Sequence, residues 1–194
     1  PTGSLDCDIS GVTASISSST NVTCNGANDG SAMASGSNGT SPYTYAWDAG
    51  SAQTSQTASG LAPGTYTVTV TDNLGCSGVE TVTITEPDAL VLSSSGNDES
   101  CPGAADGDVT VSVTSGGTSP FAYSWDSSPV QSTASASGLS GGTFTVTVTD
   151  NNGCTASTSE TISAGAALDS DPTASANQCL TGNSFTFGNN GTNA

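Results

Sequence analysis

The sequence repeats itself at an offset of 77 to 78 residues, and this fixes the size of the unit that has to fold. Cys24-Asn25-Gly26-Ala27-Asn28-Asp29-Gly30 meets Cys101-Pro102-Gly103-Ala104-Ala105-Asp106-Gly107, and Ser41-Pro42-Tyr43-Thr44-Tyr45-Ala46-Trp47-Asp48 meets Ser119-Pro120-Phe121-Ala122-Tyr123-Ser124-Trp125-Asp126. Gly60-Leu61 meets Gly138-Leu139, and the run from Gly64 to Cys76 meets that from Gly142 to Cys154. A period of this length is too long for a solenoid repeat and suits a small independent domain. It divides the chain into residues 1–19, the end of a preceding domain or a leading strand; 20–88 and 89–167, two repeat domains; and 168–194, the start of a third domain or a strand donated to a neighbour.

Within each copy, segments such as Thr65-Tyr66-Thr67-Val68-Thr69-Val70-Thr71 and Val109-Thr110-Val111-Ser112-Val113 alternate and are rich in β-branched residues, which predicts strands. Six or seven such strands per copy, separated by Gly, Asn, Asp and Pro clusters, predict an all-β fold of tandem immunoglobulin-like antiparallel sandwiches, arranged as beads on a string. No segment has a helical period. Tyr45 with Trp47, and Tyr123 with Trp125, stand two apart on one strand, so each pair shares a face and supplies bulk to cores otherwise made of small residues. Leu61 and Leu139 are expected to close those cores. Tyr66 resembles the tyrosine of a tyrosine corner, although its counterpart Phe144 has no hydroxyl. Asp72-Asn73-Leu74-Gly75 and Asp150-Asn151-Asn152-Gly153 have the chemistry of turns.

Charge narrows the function. The 194 residues contain no Lys, Arg or His against 17 Asp and Glu, a net charge of −17. Nucleic acid and anionic lipid both need cationic side chains to neutralise their phosphates, so neither is a partner. No stretch is long and apolar enough to span a bilayer, so no membrane insertion is expected, and Pro1 does not begin a signal peptide. High charge with low hydropathy also describes disordered chains, but the strand pattern opposes that reading.

Six cysteines without a Cys-x-x-Cys or a histidine indicate disulfides rather than zinc, and an extracellular compartment. If equivalent residues pair equivalently, Cys24 bonds Cys76 and Cys101 bonds Cys154, one bridge per domain. Cys7 and Cys179 are left for inter-domain or intermolecular bridges.

The string Cys-x-Gly-x-x-Asp-Gly, then Ser-Pro-aromatic-x-Tyr-x-Trp, then Gly-Leu-x-x-Gly-x-aromatic-x-Val-x-Val-x-Asp-x-x-Gly-Cys resembles the SprB-type repeat, over roughly residues 20 to 165. Such repeats occur in the giant surface adhesins of gliding Bacteroidota. The resemblance implies type IX secretion, display on the cell surface, and a part in adhesion and gliding motility. The segment from Asn177 through Phe187 departs from the pattern and is more similar to the first strands of a PKD-type domain.

Catalysis has little to draw on, because carboxylates and hydroxyls alone remain and the acidic residues recur with the repeat in turns; no enzyme and no organic cofactor are expected. Calcium is the cofactor the composition allows. Its candidates are Asp29, Asp72, Asp106, Asp108 and Asp150, and Glu86-Pro87-Asp88 at the junction, with turn capping as the competing role. Asn21, Asn38 and Asn190 each open an N-glycosylation sequon. The expected function is a stalk or adhesive segment that attaches through surface polysaccharide. The alternatives are a head-to-tail filament in which the tail strand with Phe185 and Phe187 is donated to a neighbouring copy, and a carbohydrate-binding module.

Overall fold

The computed structural model describes residues 11–50 and 52–165, and every regular element among them is a β-strand. The first repeat forms β1 (Thr13–Thr20), β2 (Gly30–Ser37), β3 (Thr44–Trp47), β4 (Thr57–Leu61), β5 (Gly64–Thr71) and β6 (Ser77–Ile84). The second forms β7 (Val91–Asn97), β8 (Gly107–Ser115), β9 (Ala122–Trp125), β10 (Ser135–Leu139), β11 (Gly142–Thr149) and β12 (Thr155–Ile162). Each repeat makes two three-stranded sheets, β1-β2-β4 with β3-β5-β6, and β7-β8-β10 with β9-β11-β12, and the pairs β1–β2, β2–β4, β3–β5, β5–β6, β8–β10, β9–β11 and β11–β12 are antiparallel.

The alternation read in the sequence decides which side chains are buried. In β5, Val68 and Val70 point inward and are fully buried while the threonines between them face out, and Val146 and Val148 of β11 do the same. The first core gathers Val12, Ala14, Ala32, Ala34, Trp47, Ala58, Leu61 and Ile84 around them. The alanines of β2 and β4 leave room for the indole of Trp47 from the facing sheet. Trp47 Nε1 donates to the Ser55 carbonyl at 3.1 Å and Trp125 Nε1 to the Thr133 carbonyl at 2.9 Å, so neither buried indole leaves its N–H unmade. Tyr45 and Tyr123 are half-buried, and Leu61 and Leu139 are buried.

Gly30 and Gly107 occupy equivalent tight positions. A Cβ on Gly30 would lie 2.7 Å from Ile84 Cγ2 and 2.9 Å from the Leu61 carbonyl; one on Gly107 would lie 2.8 Å from Ile162 Cγ2 and 2.9 Å from the Leu139 carbonyl. The Tyr66 hydroxyl donates to the Ala62 carbonyl at 2.9 Å, four residues back, as a tyrosine corner does.

β1 pairs with β2 from Thr13↔Ser37 to Thr20↔Ser31, so residues 13–19 hydrogen-bond into the first sandwich. The described residues fall into two compact units: 11–91 with 115–120 and 150–154, and 92–114 with 121–149 and 155–165.

Candidate functional site: capped turns, outward faces and the Cys24–Cys154 bridge

Three features recur or stand out, and each follows from local chemistry. The first is a set of carboxylates used as backbone acceptors. Asp72 closes the β5–β6 turn: Oδ1 accepts the N–H of Leu74 and of Cys76, both at 2.9 Å, and Oδ2 accepts the N–H of Thr40 at 2.9 Å. Asp150 repeats this with Asn152, Cys154 and Thr118. The Thr40 N–H, followed by those of Cys76, Leu74 and Gly75, outweighs burial and holds Asp72 below the usual carboxylate range. At Asp150 burial acts most strongly and pushes upward, yet the N–H groups of Thr118, Cys154, Asn152 and Gly153 together still bring it down.

Asp29 accepts the Thr23 hydroxyl and its N–H, and Asp106 the hydroxyl and N–H of Ser100; these bonds lower both. Asp108 accepts from Asn97 Nδ2 at 3.1 and 3.0 Å, and Glu86 from the N–H of Gly26 at 2.8 Å, while the neighbouring Pro87 carbonyl accepts from Asn25 Nδ2 at 3.1 Å. The five calcium candidates thus serve as hydrogen-bond acceptors, and among the described residues no three or more acidic, cysteine or histidine side chains converge to hold a metal.

Glu99 belongs to this set and was not anticipated. It is buried, with Oε1 accepting the Ala105 N–H at 2.8 Å and Oε2 the Gly141 N–H at 3.0 Å, and these two bonds, Ala105 first, lower its pKa. In the repeat alignment Val22-Thr23-Cys24 meets Glu99-Ser100-Cys101, so an acid stands where the first copy buries a valine. An acidic residue at an apolar position of the repeat was the available signal.

The second feature is the outer face of β3-β5-β6 and of β9-β11-β12. On β5 and β11 the outward positions are Thr65, Thr67, Thr69 and Thr71, and Thr143, Thr145, Thr147 and Thr149. Opposed hydroxyls bond across the strands: Thr143 with Thr161 at 3.0 Å, Thr145 with Ser159 at 3.0 Å, Thr147 with Ser157 at 3.1 Å, and Thr65 with Thr83 at 3.2 Å. The exposed large apolar side chains are aliphatic: Met33, Leu74, Val79, Val91 and Val130. Among the described residues no aromatic ring is fully exposed.

The third feature corrects the expected pairing. Cys24 is bonded to Cys154, with Cα atoms 5.5 Å apart and a sequence separation of 130, so the bridges Cys24–Cys76 and Cys101–Cys154 do not form. The reason is the length of a strand. Cys24 lies in the loop after β1, which is tied to the far end of β6: the Val22 N–H donates to the Thr85 carbonyl and the Thr85 N–H to Asn21 Oδ1. Cys76 stands just before β6 begins. The eight residues of β6 separate them by about 26 Å, against the roughly 7 Å that a disulfide tolerates between Cα atoms.

The second repeat is built alike. The Glu99 N–H donates to the Ser163 carbonyl and the Ser163 N–H to Asp98 Oδ1 beyond the end of β12, while Cys154 precedes that strand. Each copy therefore carries its two cysteines at opposite ends, and the expectation of one bridge within each domain fails on geometry. The Cys154 sulfur sits 3.4 Å from the Thr23 carbonyl and, being oxidised, has no proton to give it. Cys76 and Cys101 are disulfide-bonded as well. Cys7, Cys179, Asn190, Phe185, Phe187 and the rest of 166–194 lie outside the described residues. Asn21 and Asn38 are exposed; Asn38 Nδ2 donates to Thr13 Oγ1 at 3.1 Å.

With the repeated turn, the indole seat and the acidic caps in place, the comparison with known families becomes specific: the profile of the SprB repeat matches residues 16–52 and 93–130. The chain carries two SprB repeats. Each match starts in the first strand of its sandwich and runs past the tryptophan strand, so the SprB signature covers β2 and β3 in one copy and β8 and β9 in the other. No curated protein matches the chain. Solved structures similar to it include an amphioxus IgVJ-C2 molecule (13% identity, TM-score 0.31, covering 79% of this chain and 97% of that one) and the two immunoglobulin domains of DIP-gamma (14%, 0.34, 79% and 98%). A tetra-tandem repeat from the extending region of a large adhesion protein is also similar (15%, 0.24, 78% and 49%). The SprB repeats make this an adhesin-type repeat segment, and its disulfides belong to an oxidising, extracellular setting.

Proposed function

We propose that the chain is a stalk segment of a surface adhesin that holds adhesive contacts away from the cell and adds weak attachment of its own during gliding, after export by the type IX pathway. The observation that carries this is the pair of SprB repeats built as covalently joined sandwiches with no cationic side chain. Nothing in such a surface attracts phosphate polymers, whereas the uncharged hydroxyl faces of β5-β6 and β11-β12 suit neutral polysaccharide. Most of the described carboxylates accept backbone N–H groups, as turn caps do, which supports a structural rather than an enzymatic role. Turn capping is the favoured role of Asp29, Asp72, Asp106, Asp108 and Asp150, whose carboxylates accept hydrogen bonds from the protein itself. A carbohydrate-binding module built on stacked rings is the weaker reading, since the aromatic side chains are buried or half-buried.

Beads coated with the purified chain test this. They are expected to attach to a neutral polysaccharide film more than beads coated with an equally acidic unrelated protein, and not to attach to a phosphate-rich film. Equal retention of both bead types on the neutral film contradicts an adhesive contribution.

A further inference from the structure

We propose that the Cys24–Cys154 bridge makes the segment a length-limited tether, one that unfolding cannot lengthen past a short covalent route. Tension applied at the two ends of a chain follows the shortest covalent route. Between Gly11 and Gly165 that route runs along residues 11–24, crosses the disulfide, and continues along residues 154–165. Residues 25–153 form a closed loop beside it. Ten of the twelve described strands, β2 to β11, lie wholly within that loop.

The two strands on the route are β1 and β12, each of eight residues. A β-strand already rises about 3.3 Å per residue, close to the limit of about 3.3–3.6 Å for a stretched chain, so pulling on either gains almost no length. Fully extended, the route from Gly11 to Gly165 measures about 90 Å, whereas the same stretch of uncrosslinked chain would reach about 540 Å. Cys76 and Cys101 are also disulfide-bonded, and any further bridge can only shorten the route. Both sandwiches can open without the ends separating beyond that covalent limit. A bridge within each domain, as the repeat predicted, would have limited each domain alone and left the linker between them in the path of the load. A bond from the first copy to the second takes that linker, residues 85–90, out of the path as well.

The use of this limit in attachment rests on the adhesin reading; the limit itself does not. Single-molecule pulling of the 194-residue chain from its two ends tests it. Without reductant, the fully unfolded chain is expected to stay below about 220 Å end to end. With dithiothreitol, which closes to its cyclic disulfide as Cys24 and Cys154 become thiols, it should reach about 670 Å. Peptide mass spectrometry on the same sample should show the linked Cys24 and Cys154 peptides lost as the added length appears. Extension beyond about 220 Å while that pair is intact, or no added length once it is gone, overturns the proposal. A chain that meets the limit but whose beads fail to attach keeps the tether and loses the adhesin reading.

Discussion

The Asp72 carboxylate holds the backbone N–H of Thr40 at 2.9 Å across 32 residues of sequence. One side chain thereby fixes the turn it belongs to and the approach of the loop after β2. Asp150 does the same for Thr118 in the second copy, and in a chain without cations such charge-to-backbone bonds take the place that ion pairs fill elsewhere.

Acid should therefore weaken the fold through these groups. Asp29, Asp72, Glu99, Asp106 and Asp150 all have depressed folded-state pKa values, so their stabilisation is complete above the ordinary carboxylate range and is lost as pH falls through the lower folded values. Asp72→Asn isolates one of them. Its melting temperature should lie below that of the parent at pH 7, and the gap should narrow steadily below pH ~4. A gap independent of pH would contradict the assignment.

Trp125→Ala should cost about 3–5 kcal/mol, because the indole is buried and its removal leaves a cavity in the second core. Trp125→Phe keeps much of the bulk but strands the Thr133 carbonyl, and should cost about 1–3 kcal/mol. Urea unfolding of the two variants measures both.

Gly107→Ala tests the close approach of β8 to β10 and β12. The new methyl meets the Leu139 carbonyl at 2.9 Å and Ile162 Cγ2 at 2.8 Å, and one of those contacts is backbone, which cannot rotate away. A loss of about 1–3 kcal/mol is expected, with the same sign for Gly30→Ala.

The cysteine pairing can be read directly. Trypsin has no site in this chain, so digestion of the unreduced protein at acidic residues is the practical route. It should yield a peptide containing Cys24 joined to one containing Cys154, and none joining Cys24 to Cys76. Replacing both partners by Ser should cost about 5 kcal/mol in the chain-entropy account of a loop this long.

Much of this architecture was legible beforehand. The period-two runs in β5 and β11 declared which valines go inward, and Trp47 and Trp125 announced themselves as core by standing two residues from a tyrosine on a short strand. The cysteine pairing was not legible in the same way. Sequence equivalence says that Cys24 and Cys101 occupy like positions, but it is silent on which end of a sandwich those positions reach, and a strand of eight residues is enough to forbid the simplest pairing. Glu99 was overlooked for a related reason. An acid looks like surface until the two N–H groups that need it, Ala105 and Gly141, are brought together by a loop and a turn 36 residues apart.

The covalent partnership of Cys24 with Cys154 also bears on how such a protein can change in length over generations. Arrays of near-identical modules grow and shrink by unequal recombination, and a module with its bridge inside can be gained or lost singly. Here loss of the second copy alone would remove Cys154 and with it the present partner of Cys24. The unit that carries this bond whole is thus larger than the repeat that meets the eye, and it spans both copies.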